Sequence, residues 1–141
     1  MKYTPLLAIA TAISLAATPA VAQEEEEPRT TYAVTAIDLA DGADDRWFEI
    51  QTDYIQPARV AAGMSEATIH WVMLADDYDI VVVAEMPGGM ANLDSHAPAS
   101  HVAYMEALTE LVGGEAALEA LGEERDTLVE KSMTLYTHTH P

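Results

Sequence analysis

Ala67-Thr68-Ile69-His70-Trp71-Val72-Met73-Leu74-Ala75 and, after Asp76-Asp77-Tyr78-Asp79, Ile80-Val81-Val82-Val83-Ala84-Glu85-Met86 decide how this chain folds. Two runs dense in β-branched and aromatic residues, separated by a short acidic turn, predict a β-hairpin. Both runs are apolar at alternate and at intervening positions, so each face of the sheet they join needs a cover. If the turn centres on Asp77-Tyr78 and Asp76 meets Asp79, Leu74 pairs with Val81, Val72 with Val83, and His70 with Glu85.

Upstream, Thr31 to Leu39 is rich in β-branched residues and is closed by Asp41-Gly42, which predicts a first strand. Asp44 or Asp45 then caps a helix whose apolar positions, Trp47, Ile50, Tyr54 and Ala58 with Ala61 or Ala62, recur at helical spacing up to Gly63. Pro57 falls inside that pattern and predicts a kink or a restart, because it lacks an amide donor and crowds the preceding turn. Downstream, Pro87-Gly88-Gly89 ends the hairpin, and Asp94 or Ser95 caps a helix running through Val102, Met105, Leu108, Leu111 and Val112 to Gly113-Gly114. A second helical piece extends from Glu115 to about Lys131 with an interruption at Gly122, and Met133 to His140 forms the last strand. Strand, helix, strand, strand, broken helix, strand is the split β-α-β plan of ferredoxin-like domains. The expectation is an α+β fold with a four-stranded antiparallel sheet, the first and third strands central, and helices on one face.

The chain begins with Lys2, an apolar run from Leu6 to Ala17 and small residues at Ala20-Val21-Ala22, the pattern of a cleaved export signal. Residues 1–22 are thus read as the signal, residues 23–29 as a flexible acidic lead-in, and residues 30–141 as the domain. Removing the signal leaves about 119 residues, enough for one core. The expected compartment is the bacterial periplasm, with extracellular release open. Lys+Arg number 6 against Asp+Glu 24, a formal net charge of -18. Such a polyanion is repelled by nucleic acid and by anionic membrane surfaces, so neither is expected as a partner. With no cysteine, disulfides, thiolate metal sites and a cysteine nucleophile are excluded.

A domain of this plan, with strands apolar on both faces, resembles the dimeric α/β-barrel superfamily over Thr30 to Pro141. The run Asp77-Tyr78-Asp79-Ile80-Val81-Val82-Val83-Ala84-Glu85-Met86-Pro87 also looks like the hairpin of GYD-domain proteins, with Asp77 where that signature has glycine. The resemblance implies a homodimer whose two sheets cover each other. It also implies a pocket either between helices and sheet or within the barrel, and a family range from monooxygenases to haem-binding proteins. Fold membership does not choose among these.

Polar residues that interrupt apolar strands are the candidate site. His70 opposite Glu85 would form a base and its orienting carboxylate, with Trp71 and Tyr136 contacting a substrate. His138 and His140 alternate on the last strand and point the same way, as two ligands of one metal would. Edge strands meeting across a dimer would bring His70 and Glu85 to His138 or Tyr136 of the partner subunit. His96 and His101, five apart, do not share a helix face and suit surface or capping roles. Met86 and Met90 with His96 offer a copper-like ligand set, and haem through a histidine is a further possibility; no cofactor is specified. No phosphate-cradling loop and no Gly-x-Ser-x-Gly elbow is present. The expected protein is an exported binder of a small, hydrophobic molecule, oxygenase- or isomerase-like if it is an enzyme. The alternatives are a periplasmic metal-binding or sensing protein, or an interaction protein without a small-molecule site.

Overall fold

The computed structural model describes residues 29–74 and 77–140. The expected export signal and most of the expected acidic lead-in fall on residues 1–28, which with residues 75, 76 and 141 lie outside the described residues. The chain runs β1 (Thr31–Leu39), α1 (Asp44–Ile50), a π-helical turn (Gln51–Ile55), α2 (Gln56–Ala61), β2 (Thr68–Trp71) and β3 (Ile80–Glu85). A 3-10 turn (Gly89–Asp94), α3 (Ala99–Val112), α4 (Glu115–Thr127) and β4 (Val129–His138) complete it. The sheet order is β2-β3-β1-β4 and every neighbouring pair is antiparallel. The α+β, ferredoxin-like plan expected from the element order is what the chain adopts, with β1 and β3 central.

The first helical region shows how Pro57 is accommodated. A proline cannot donate to the carbonyl four residues back and crowds it. Here the residue before it, Gln56, donates its amide to Gln51 O, five residues back, and the helix widens into a π turn over Gln51–Ile55. The extra residue in that turn rotates the buried stripe, so that Trp47, Ile50, Gln51, Ile55 and Ala58 are buried and Tyr54 only packs at the margin. Asp44 and Asp45 do not cap α1. Ala43 holds the N-cap, and the two carboxylates sit in the first turn, where the helix dipole favours negative charge.

Three other expectations shift. Pro98, rather than Asp94 or Ser95, precedes the first residue of α3, and the Asp94 segment is a separate 3-10 turn. The end of α3 at Gly113 is where the sequence places it, and the φ of 94° there is left-handed and open to glycine at little cost. Gly122 does not interrupt α4, which instead ends at Thr127, and β4 starts at Val129 rather than Met133 and ends at His138. The cause is non-local: β1 pairs with β4 from Thr31↔His138 to Leu39↔Val129, with an irregularity at Asp38/Leu39. This ladder recruits residues whose local sequence reads as helix.

One buried cluster, Ile37, Leu39, Ala43, Trp47 and Ile80, packs α1 on one sheet face, and a second, Ile50, Ile55, Ala58, Leu108 and Leu121, packs the helical segments against one another. By strand alternation the opposite face carries the cross-strand rows His70–Val81–Ala36–Met133 and Thr68–Val83–Val34–Leu135. Met133 and Leu135 on that face are 45% and 52% exposed.

Ile80 is fully buried, and truncation to alanine there leaves a cavity in a close-packed layer. Ile80→Ala is expected to cost about 2–5 kcal/mol in urea unfolding, whereas Val60→Ala, at an exposed position, should stay within about 0.5 kcal/mol.

Candidate functional site

The hairpin register separates the pair that the sequence suggested. β2 and β3 align as Thr68↔Val83, Ile69↔Val82, His70↔Val81 and Trp71↔Ile80, so His70 faces Val81, while Glu85 stands opposite Tyr32 of β1. His70 and Glu85 are therefore four residues out of register, ~13 Å along the strand. The reason lies in Asp79. Its carbonyl accepts the Val72 amide at 2.8 Å, its amide donates to Ile37 O at 2.9 Å, and its carboxylate Oδ2 accepts the Leu39 amide at 2.8 Å. Tied to β1 in this way, Asp79 takes Val72 as its partner, and the connection runs from Val72 to Asp79 instead of turning tightly at Asp77-Tyr78. A slip of four is even, so the expected faces survive although the expected neighbours do not.

The other sequence candidates are spread around the sheet. Trp71 is 54% exposed and stacks on Phe48 with ring centroids 5.0 Å apart. Tyr136, on β4, pairs with Ala33. His138 and His140 have ring centroids 5.1 Å apart, and both are exposed. They supply two imidazoles, half of a tetrahedral zinc set, and no group of three or more His, Asp or Glu suited to a metal exists among the described residues. β2 and β4 are opposite edges of the sheet, so His70 does not meet Tyr136 or His138 within one chain.

The structure instead gathers polar groups between the helices and the sheet. A cleft of about 500 Å³ is floored by Ala33 and Ala84 and walled by Met64, Leu93, Pro98 and Tyr104. It adjoins a second hollow of about 440 Å³ that contains Thr35, Gln51, Arg125 and Ser132, and the two share Arg59 and Ala84. Arg59, on α2, donates from Nε to Ser65 O at 2.9 Å. Its Nη2 is buried and has no hydrogen-bond partner among the described residues. A buried donor left unpaired costs about 1–3 kcal/mol, more when charged. Burial lowers the pKa of this guanidinium from its ordinary value, while nearby Tyr104 and Glu85 oppose the shift; arginine stays charged throughout.

Glu85 reaches this cleft by another route than the one expected. It lines the cleft, and Ser65 Oγ donates to its Oε2 at 3.2 Å, so Ser65 links Glu85 and Arg59. His101 also lines the cleft, its ring centroid 6.4 Å from that of Tyr104. Burial raises the Tyr104 phenol pKa, and Arg125 and Arg59 pull it back.

The few cations are unequally committed. Arg46 is held by Glu124 at 2.6 Å and Glu49 at 2.7 Å, which lowers the Glu124 carboxyl from its ordinary value. Lys131 lies 3.8 Å from Asp38 and 4.0 Å from Asp77. Arg59 and Arg125 have no carboxylate within ion-pair distance among the described residues. Sequence reasoning passed over both, because an arginine on an amphipathic helix reads as a solvated face. The available signal was scarcity: with so few cations among so many carboxylates, each arginine lacking a helical acidic neighbour warranted scrutiny.

Among solved structures, the chain is similar to a NIPSNAP-family protein with unknown function from Agrobacterium tumefaciens. The match has a TM-score of 0.50 and 12% identity and covers 78% of this chain and 87% of that one. It is similar as well to the protein PA3566 from Pseudomonas aeruginosa, at a TM-score of 0.47 and 12% identity over 81% and 97% of the two chains. The likeness to the Agrobacterium protein agrees with the ferredoxin-like fold and says nothing about chemistry. No protein-family model matches the chain, and no curated protein matches it in sequence. The GYD-type hairpin thus has no support beyond its own residues.

Because Arg125 lowers the Tyr104 pKa, removing its charge should raise it. An ultraviolet difference titration of Arg125→Gln, with Tyr104→Phe identifying the Tyr104 component, is expected to show that phenol ionising at higher pH than in the unmodified protein.

Proposed function

We propose that this protein is an exported, homodimeric binder of a small, largely apolar molecule, held in the cleft between α2, α3 and the sheet. The observation that carries the reading is the cleft: about 500 Å³, within the ~300–1,000 Å³ range of small-molecule sites, with apolar walls and a few convergent polar groups. Export is supported by the charge, apolar run and small residues of the first 22 positions. Dimerisation is supported by the open sheet face, where Val34, Ala36, Val81, Val83, Met133 and Leu135 form adjoining rows of the kind that marks an association surface. A second copy packed there would supply the cover that strands apolar on both faces require. The separated His70 and Glu85 play no paired catalytic part in this reading.

Two measurements check it. Sedimentation of the mature chain is expected to give a dimer and that of Leu135→Glu a monomer; a monomeric parent protein removes the dimer. For the cleft, the neutral dye N-phenyl-1-naphthylamine should brighten on binding. Ala84→Phe, which fills the wall shared by the two hollows, should weaken it roughly 10-fold, while Leu135→Glu should not. Dye binding lost with the sheet-face variant and kept with the cleft variant refutes the assignment.

A further inference from the structure

We propose that the ligand of this cleft is an amphipathic monocarboxylate whose head is received by Arg59 and whose apolar body lies against Ala33, Ala84, Met64 and Leu93. The inference rests on the small-molecule reading above and adds the charge and class of the ligand. Arg59 Nη2 is buried without a partner at the junction of the two hollows. A guanidinium presents paired donors that match a carboxylate, and Nε is already engaged by Ser65 O, leaving the Nη side for an incoming acceptor. Arg125 lines the adjoining hollow, so two cations flank the space in a chain carrying only 6 Lys+Arg. Tyr104, kept protonated by its surroundings, adds a phenolic donor to the same wall.

The surrounding charge limits the ligand to a single negative group. The chain's net charge of -18 repels polyanions, and Glu85, which also lines the cleft, would repel a second carboxylate there. A dicarboxylate or a free phosphate is accordingly disfavoured, and a neutral alcohol of the same length leaves the guanidinium unsatisfied.

Calorimetry on the mature protein with decanoate, decanol, decanedioate and inorganic phosphate, repeated with 2-naphthoate against 2-naphthalenemethanol, tests this. The monocarboxylates should bind roughly 10–100-fold more tightly than their alcohols, and decanedioate and phosphate more weakly than decanoate. Arg59→Gln should abolish the preference and Arg59→Lys restore part of it, whereas Arg46→Gln, at a cation engaged by Glu124 and Glu49, should leave it intact. Melting curves check that each variant is folded; if Arg59→Gln is not, Arg59→Lys decides, because an undiminished preference there excludes a fork-shaped contact. Equal binding of acid and alcohol overturns the carboxylate inference while the apolar cleft stands. Phosphate binding as tightly as decanoate overturns it too. Failure of both acids, both alcohols and the naphthylamine dye to bind overturns the cleft reading itself.

Discussion

The structure depends on β1 being paired along both edges. Thr31–Leu39 takes β3 on one side, from Tyr32↔Glu85 to Ile37↔Ile80, and β4 on the other. Because both ladders are antiparallel, alternate residues of this one strand serve opposite surfaces: Ala33, Thr35 and Ile37 face the helices, and Val34 and Ala36 face away. Ile37 and Leu39 anchor the buried cluster around Trp47 and Ile80. The Asp79 carboxylate on the Leu39 amide then fixes where the hairpin enters the sheet. A change that slid β1 by one residue would exchange the contents of the two faces throughout the molecule.

Legibility in the sequence followed the range of the interactions. β1 was readable to its end residues, because a β-branched run bounded by Asp-Gly carries its own signal. The kink at Pro57 was readable as well, since the missing amide is a local fact, but its resolution as a π turn that buries Ile55 in preference to Tyr54 was not. The start of β4 depended on β1, about ninety residues away in the chain, and no local preference of Leu128 to Ser132 announces it. The hairpin register was not legible either: the spacing between runs permits a tight turn, whereas the ladder between β2 and β3 continues to Trp71↔Ile80 with the Val72 amide on Asp79 O.

The candidate site divides along similar lines. Polar residues on strands attract attention because they break an apolar pattern, and His70 and Glu85 were found that way. Glu85 does border the cleft, yet beside Ser65 and Arg59. Arg59 sits on a helix where a charged residue every few positions is ordinary, so periodicity hides it. Its buried Nη2 belongs to a cleft lined by three separated pieces of chain, α2, the strand β3 and α3. A tertiary cavity of this kind leaves no mark on any window of sequence short enough to read by pattern.

The two features without a partner among the described residues lie on opposite sides of the same sheet, and this decides whether they compete. A second copy seated on the rows of Val34 and Leu135 would not close the cleft, whose floor is the helix-side residues Ala33 and Ala84. Dimerisation and ligand uptake are then separable in space but adjacent in the backbone, since Ala33 and Val34 are consecutive residues of β1. Val83 and Ala84 of β3 are consecutive as well, so any coupling of uptake to dimerisation has to pass through the two central strands. A doubly paired central strand is the stiffest element available to carry it, because moving it breaks two ladders at once. Ligand uptake is therefore expected to be accommodated on the helical side, where residues of the 3-10 turn and the start of α3 line the cleft, leaving the sheet and its open face unchanged.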